Sequence, residues 1–281
     1  MKIGITGGKG GTGKSTISVN IAVELSKKNK TLLIDMDSDC PDDHILLGVE
    51  LKNKKDVTLF LPKINEKCNL CGICVEKCPE HALFMFKNKI KVLTDMCSGC
   101  KICKLVCPQN AIDESEKIVG HVYFTKINNN LDLATAELLE GEREAIHPIN
   151  YLKNHLPENY DYYIYDTSAG THSEVVTVLK DMDLILAVTE PTPFGAHDLK
   201  IILELAKQLG KKTYVIINRY DIGDNEDIEN LCKDYNVEII SKIKFDKKIM
   251  KYYMSGKFFD EHVDAIKEIK KIVEFLNLNS D

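Results

Sequence analysis

Apolar and polar positions alternate in blocks along most of the chain. Lys2-Ile3-Gly4-Ile5-Thr6 reads as a short buried strand running into a glycine-rich turn, followed by apolar residues Ile17, Ile21, Val23 and Leu25 at or near helical period. Lys27-Lys28-Asn29 closes that helix with charges suited to the C-terminal end of its dipole. Thr31-Leu32-Leu33-Ile34 is a second buried strand, giving the strand-helix-strand spacing that parallel sheets use. From Leu61 to Asp113 the pattern breaks into short pieces rich in Cys, Lys, Gly and Pro, which cannot build an ordinary apolar core. Alternation then resumes. His121 to Thr125 reads as a strand, Leu133 to Leu156 as a helix with its connections, and Tyr162 to Tyr165, Leu184 to Val188 and Tyr214 to Ile217 as further strands. Asp198 to Leu209 is helical, and so is the tail from His262 to Leu276, whose apolar residues share one helical face. The pattern predicts an α/β fold: a doubly wound, mostly parallel sheet with helices on both faces, formed by residues 1–60 and 114–281 and interrupted by an inserted module at 61–113.

Composition narrows the class. The 281 residues carry 43 acidic and 37 basic side chains, a formal net charge of −6, which argues against broad binding to nucleic acid or anionic lipid because such binding needs a basic surface. No apolar stretch approaches the roughly 20 residues of a membrane span, and the N-terminus lacks a signal-peptide pattern. The expectation is a cytoplasmic globular protein with no membrane and no nucleic-acid partner. The mixed charges of the C-terminal helix likewise favour packing on the sheet over membrane targeting. His81, His121, His147, His172 and His197 show no ligand spacing.

Residues 8 to 16 read Gly8-Lys9-Gly10-Gly11-Thr12-Gly13-Lys14-Ser15-Thr16. Gly8, Gly10 and Gly13 fit the dinucleotide fingerprint, while Gly8, Gly13, Lys14 and Ser15 fit the P-loop. The Lys-Ser pair decides for the P-loop. Its glycines let backbone N–H groups wrap phosphates at a helix N-terminus, Lys14 reaches the β- and γ-phosphates, and the Ser15 hydroxyl binds Mg²⁺. Asp37 and Asp166 each follow a predicted strand, where carboxylates of a parallel sheet face the ligand crevice.

With its second lysine, this run resembles the deviant Walker A motif of the MinD/ParA family of ATPases, which includes the nitrogenase iron protein and iron–sulfur cluster carriers. The resemblance covers both halves of the chain outside the insert. It implies a P-loop NTPase fold, an ATP and Mg²⁺ site, and an ATP-dependent dimer, with itself or a paralogue, in which Lys9 crosses to the partner's ATP. It also implies that Asp35-Met36-Asp37 is switch I, with Asp37 orienting the attacking water or a Mg²⁺-bound water. Asp166-Thr167-Ser168-Ala169-Gly170 would be switch II, with Asp166 holding Mg²⁺ through water. Asn218 and Arg219 fall on the base-recognition strand, where the Asn side chain reads adenine. The likeness of Asn218-Arg219-Tyr220-Asp221 to the N-K-x-D of GTPases leaves GTP as an alternative. The later adenine-side loop departs from the family: Lys244-Phe245-Asp246 lacks the usual proline.

Eight of the ten cysteines lie between 68 and 107. Cys68-x₂-Cys71-x₂-Cys74-x₃-Cys78-Pro79 recurs 29 residues later as Cys97-x₂-Cys100-x₂-Cys103-x₃-Cys107-Pro108. This is the run of bacterial two-cluster ferredoxins, in which the fourth cysteine ligates the other cluster. One [4Fe–4S] cluster then takes Cys68, Cys71, Cys74 and Cys107, and the other takes Cys97, Cys100, Cys103 and Cys78. Zinc sites usually present two C-x-x-C pairs, and disulfides do not suit a reducing compartment. The insert resembles a small α+β ferredoxin domain. Lys77, Lys87, Lys89, Lys91, Lys101 and Lys104 make it locally basic. Cys40 is expected to pack as a small apolar residue and Cys232 to lie on a buried helix face.

The preferred expectation is an ATPase coupling nucleotide state to electron transfer through two clusters, with a redox or cofactor-accepting protein partner. The alternatives are an ATPase for iron–sulfur or metal cofactor assembly or carriage, and a nucleotide switch whose clusters are structural.

Overall fold

The computed structural model describes residues 1–260 and 263–279. Their order is β1 (Lys2–Thr6), α1 (Lys14–Ser26), β2 (Thr31–Asp35), the single turn α2 (Asp43–Leu46) and β3 (Lys55–Ile64). The cysteine-rich segment adds the short turns α3 (Ile73–Glu76) and α4 (Ile102–Leu105) around a hairpin of β4 (Leu83–Phe86) and β5 (Lys89–Val92). There follow β6 (Ile112–Lys126), β7 (Leu131–Leu138), α5 (Ile146–Asn154), β8 (Tyr162–Asp166), α6 (Ser173–Leu179), β9 (Leu184–Thr189) and α7 (Pro193–Gln208). The chain closes with β10 (Lys212–Asn218), α8 (Glu226–Asp234), β11 (Glu238–Ile243), α9 (Lys247–Met254) and α10 (Ala265–Leu278). His262, where the sequence pattern begins the last helix, lies outside the described residues.

Nine strands form one sheet in the order β11-β10-β9-β1-β8-β2-β7-β6-β3. The seven from β11 to β7 are parallel, and their apolar runs are buried on both faces, as parallel strands require. Alternate side chains feed opposite layers: Leu33 packs in the layer containing α1 and α10, while Leu32 and Ile34 pack in the layer containing α5 and α6. Ile266, Ile269, Ile272 and Leu276 of α10 are buried in that first layer, so the C-terminal amphipathic face is spent on the core. No helix among the described residues is long and apolar enough to cross a membrane.

Two expectations are corrected and one holds. Leu133 to Leu156 holds a helix, α5, but it opens on a strand, Leu131–Leu138, where the pattern gave none. Its alanines and single buried block, Leu133 to Ala136, carry no clear period-2 signal. Second, the mostly parallel sheet is borne out: the seven strands from β11 to β7 are parallel, while β6 pairs antiparallel with β7 and β3 antiparallel with β6. Third, β3 and β6 run across the boundaries drawn at 60/61 and 113/114. The partner β7 covers only Gly120 to Lys126 of β6, so residues 112–118 pair with β3 alone as a two-stranded ribbon. At its end sits a core of Phe60, Cys74, Cys78, Ala82, Leu83, Ile90, Cys103 and Ile112.

Candidate functional site

The register of the sheet brings the phosphate loop and both acidic switches to one corner. Asp35 and Asp166 are direct neighbours on β2 and β8, and Ile5 of β1 is opposite Asp166, so all three strands deliver their C-terminal ends together. The loops are then tied to one another: Met36 N–H donates to Asp166 O at 2.9 Å, Thr167 N–H to Ile5 O at 3.1 Å, and Gly170 N–H to Gly7 O at 3.0 Å.

Two glycines show why the loop has its composition. A Cβ at Gly8 would stand 1.9 Å from Asp198 Cβ, and Gly13 caps α1 with φ 93°, with a would-be Cβ 2.4 Å from the Asn218 amide nitrogen. Gly10 and Gly11 form the open tip and Thr12 is buried beneath it. Lys14, the first residue of α1, is 7% exposed, and its ammonium donates to Lys9 O at 3.4 Å. Lys9 itself pairs with Glu190 at 2.9 Å and lies 5.7 Å from the Phe194 ring centroid. Arg219 approaches the same Glu190 at 3.2 Å. The cation expected to reach a partner is thus held, in this protomer, by a carboxylate of its own chain.

The acidic half is more heavily buried than the sequence suggests. Asp35, Asp43 and Asp166 are all fully buried, and one carboxylate oxygen from each of Asp35, Asp42 and Asp43 lies within 4.8 Å of the others. Asp35 accepts from Asp37 N–H at 3.1 Å and Asp43 N–H at 3.2 Å, pinning the loop between them. Ser18 Oγ donates to Asp166 Oδ1 at 2.7 Å. Burial first, then mutual repulsion among the carboxylates, holds Asp35 and Asp43 well above the usual carboxylate range. Burial pushes Asp166 up to about 7, opposed by the nearby Ser15 and Ser18 hydroxyls and Lys14. Burial also raises Asp37, with Lys14 opposing, and Asp42, with Ser15 opposing. Among the described residues, neither oxygen of Asp43 nor Oδ2 of Asp166 has a hydrogen-bond partner. Buried oxygens left this way beside Ser15 fit a divalent cation, which would satisfy them and cancel their repulsion.

Beside the loop, a cavity of about 140 Å³ is lined by Gly13, Thr16, Asn218, Arg219, Phe245 and Asp246. Asn218 donates to Thr12 O at 2.8 Å, joining this cavity to the phosphate loop. Phe245 and Asp246 reach it without the proline, because Asp221 accepts the Phe245 N–H at 2.7 Å. A wider groove between α7 and α8, lined by Lys207, Tyr235 and Lys242, shares no residue with the phosphate loop.

The cysteines gather in two sets of four. Cys68, Cys71, Cys74 and Cys107 line one small cavity with Ile64, Ile73, Ile90 and Ile112. Cys78, Cys97, Cys100 and Cys103 line another with Phe60 and Leu83. The repeat extends into the backbone: positive φ recurs at Leu70 and Gly99, Gly72 and Lys101, and His81 and Asn110. Cys74 and Cys103 are buried, whereas Cys71 and Cys100 are exposed. Burial pushes the Cys103 thiol up to about 11 and raises Cys74 and Cys97, so thiolates here need a bound cation. Ala82 N–H donates to Cys78 Sγ and Ala111 N–H to Cys107 Sγ, each at 3.3 Å. Four thiols around a small, largely apolar cavity, with N–H donors on sulfur, fit an iron–sulfur cluster.

Sequence reasoning missed Ser18, Asp42, Asp43 and Glu190, whose roles depend on spatial neighbours. Cys40, expected to be packed, is exposed because it sits on the outward side of the switch loop, whereas Cys232 is buried in α8 as expected. The basic patch is partly neutralised: Lys101 and Lys104 both pair with Glu114, and Lys77 with Glu76.

A parallel sheet with a lysine-bearing phosphate loop at its central strand and acids on the two neighbouring strand ends defines a P-loop nucleoside triphosphatase. Residues 3–259 match the CobQ/CobB/MinD/ParA nucleotide-binding domain, and the chain belongs to that family of ATP-binding proteins and is a P-loop ATPase. It is 35% identical over 280 residues to an uncharacterized protein of Methanocaldococcus jannaschii, covering 98% of this chain and 97% of that one. It is 26% identical to a cytosolic Fe-S cluster assembly factor Nubp2 homolog of Aedes aegypti, over 73% of this chain and 63% of that protein. The septum site-determining protein MinD of Pyrococcus horikoshii, solved with Mg-ADP, superposes with a TM-score of 0.63 at 18% identity, covering 99% and 96% of the two chains.

Proposed function

We propose that this ATPase couples its nucleotide state to one-electron transfer through two [4Fe–4S] clusters carried by a ferredoxin-like insert at 61–113. The observation that carries the reading is the gathering of eight thiols into two sets of four, at the end of a ribbon continuous with the ATPase sheet. When bound, such clusters take and give single electrons at potentials set by hydrogen bonds, charge and exposure. Cys68, Cys71, Cys74 and Cys107 would hold one, and Cys78, Cys97, Cys100 and Cys103 the other.

At the nucleotide corner, Gly8, Gly10, Gly11, Thr12 and Gly13 offer backbone N–H groups to the phosphates, and Lys14 neutralises the charge that develops on them. Ser15, with Asp166 and Asp37 acting through water, would hold Mg²⁺. Asp37, half-buried beside Lys14, also orients the attacking water, and Gly170 ties the second switch to the loop. Thr16, Asn218 and Arg219 border the base. Lys9 leaves Glu190 to reach the partner's ATP in a dimer of this chain or of this chain with a paralogue. The hairpin of β4 and β5 exposes Phe84, Met85 and Phe86 beside Lys87, Lys89 and Lys91, a face suited to an acidic redox or cofactor-accepting protein.

The likeness to the assembly factor supports a second reading, in which the clusters are cargo. One anaerobic experiment separates the two. Iron and acid-labile sulfide are counted, ATP hydrolysis is measured on oxidised and reduced protein, and paramagnetic resonance spectra are taken with and without nucleotide. About eight irons per chain, retained over many turnovers with a nucleotide-dependent signal, are expected for electron transfer. Delivery of the iron to an apo-protein would favour cargo, and a chain holding neither iron nor sulfide would sink both.

A further inference from the structure

The two thiol sets are not equivalent in their distance from the ATPase body. The set of Cys68, Cys71, Cys74 and Cys107 packs on Ile64 and Ile112, at the far end of the ribbon. The set of Cys78, Cys97, Cys100 and Cys103 packs on Phe60, nearer the sheet, and Cys97 also faces a cavity whose opposite wall includes Glu142, Arg143 and His147. This inner set is the one joined to the nucleotide corner by a continuous series of polar contacts.

The series begins at the first switch. Ser38, directly after Asp37 and 2% exposed, accepts from Leu138 N–H at 2.8 Å, at the end of β7. Leu139 N–H donates to Val119 O at 3.1 Å, and Glu142 N–H turns back on Leu139 O at 3.0 Å. The Glu142 carboxylate then meets the Lys117 ammonium at 2.8 Å, with both side chains 20% exposed. Lys117, on the ribbon strand β6, also reaches Asp95 at 3.6 Å and Thr94 O at 3.4 Å, the same carbonyl that accepts from Cys97 N–H at 3.4 Å. A partly desolvated ammonium on the carbonyl that also holds Cys97 N–H favours added negative charge at that thiol set, so it favours the reduced state of the set over the oxidised one.

We propose that Lys117 and Glu142 are positioning residues that transmit the state of the first switch to the inner cluster. The proposal rests on the cluster reading above. Movement of Asp37 and Ser38 toward a γ-phosphate displaces the turn at 139–142 through the Leu138 hydrogen bond. The displaced Glu142 changes how much of the Lys117 charge is left for the inner set, while the outer set, farther along the ribbon, is unaffected. Linkage makes the effect reciprocal, so reduction of the inner cluster changes nucleotide affinity by the same factor.

The test measures binding of a non-hydrolysable ATP analogue with Mg²⁺ to the intact anaerobic protein, oxidised and then reduced one electron at a time with dithionite. Resonance spectra follow both clusters, with Cys100→Ser marking the inner signal and Cys71→Ser the outer. The parent is expected to show about a fivefold difference in affinity between the two redox states, with the nucleotide-dependent change confined to the inner signal. Lys117→Met and Glu142→Gln each bring that ratio close to one while both signals persist. The charge exchange Lys117→Glu with Glu142→Lys keeps the ion pair but inverts the charge near Cys97, and so inverts the ratio. Asp95→Asn, at an 81% exposed side chain, leaves the ratio at the parent value. A ratio unchanged in both Lys117→Met and Glu142→Gln, or a response in the outer signal alone, overturns the proposal but leaves the cluster reading standing. Protein without iron or sulfide overturns both.

Discussion

The nucleotide corner and the cysteine-rich segment are both built around ligand-binding side chains, but they are held together by different means. The phosphate loop and the acidic switches stand on strands whose apolar residues, such as Ile5, Leu33 and Ile164, are fully buried in a two-sided core. That core is built from apolar side chains of the sheet and its helices and uses no ligand atom. The cysteine-rich segment has a core in which Cys74, Cys78 and Cys103 are buried members and Cys68, Cys97 and Cys107 pack against it. Without thiolate-metal bonds, little apolar surface remains there to offset the entropy of ordering the chain. On the proposed reading, one region would bind its ligand with a ready fold, and the other would fold with its clusters.

The strongest challenge to this contrast is metal removal. Chelation, or Cys74→Ser with Cys103→Ser, is expected to abolish amide-exchange protection between 65 and 111 while β1, β2 and β8 keep theirs. Loss of protection across both regions would show that they share one core. Next in size is Lys14→Ala, expected to lower ATP turnover by about 10²-fold or more while iron content stays at the parent value. Leu33→Ala reverses the emphasis: at 0% exposure it should destabilise the body by about 3 kcal/mol in urea melts, without altering the cysteine signals.

A smaller effect comes from the buried acids. Asp166 rises from 3.8 to about 7, so the native protein binds more protons than the unfolded chain between those values and loses stability as pH rises through that window. Asp166→Asn is therefore expected to stabilise the Mg²⁺-free protein at pH 8 by on the order of 3 kcal/mol, with little change at pH 4. The remaining slope belongs to Asp35 and Asp43, and adding Mg²⁺ with nucleotide should stabilise the parent more than the variant. Thermal melts across pH read this directly. At the small end, Glu114→Gln breaks two exposed ion pairs with Lys101 and Lys104 and should leave the melting temperature unchanged at moderate salt.

The parts most legible in the sequence were the ones whose chemistry is local. Gly8 to Ser15 must be contiguous because one loop wraps the phosphates, and each cysteine triple is close-spaced because three thiols serve one cavity. The crossing of the fourth cysteines came from the likeness to two-cluster ferredoxins, because a repeated spacing alone does not say which set each joins. Less could be read where a residue's meaning comes from across the sheet. Leu131–Leu138 has few β-branched residues and became a strand because β2 and β6 flank it. Nothing in the local sequence singles out Asp42 and Asp43, whose place at the site comes from the carboxylates of Asp35 and Asp166 around them. Cys40 looked like a packing residue, but the switch loop turns it outward.

By itself, then, the sequence determined the order of apolar blocks, the phosphate loop, the two thiol runs and the family to which the chain belongs, because each is written in neighbouring residues. Only the tertiary structure decided that β6 and β3 turn antiparallel and carry the thiols outward on a ribbon. It also decided that Glu190 holds Lys9, that four carboxylates crowd one buried corner, and that Lys117 bridges the segment to the body. Those are pairings between residues far apart in the chain, and they form only when burial of the shared core has already brought the strands into register.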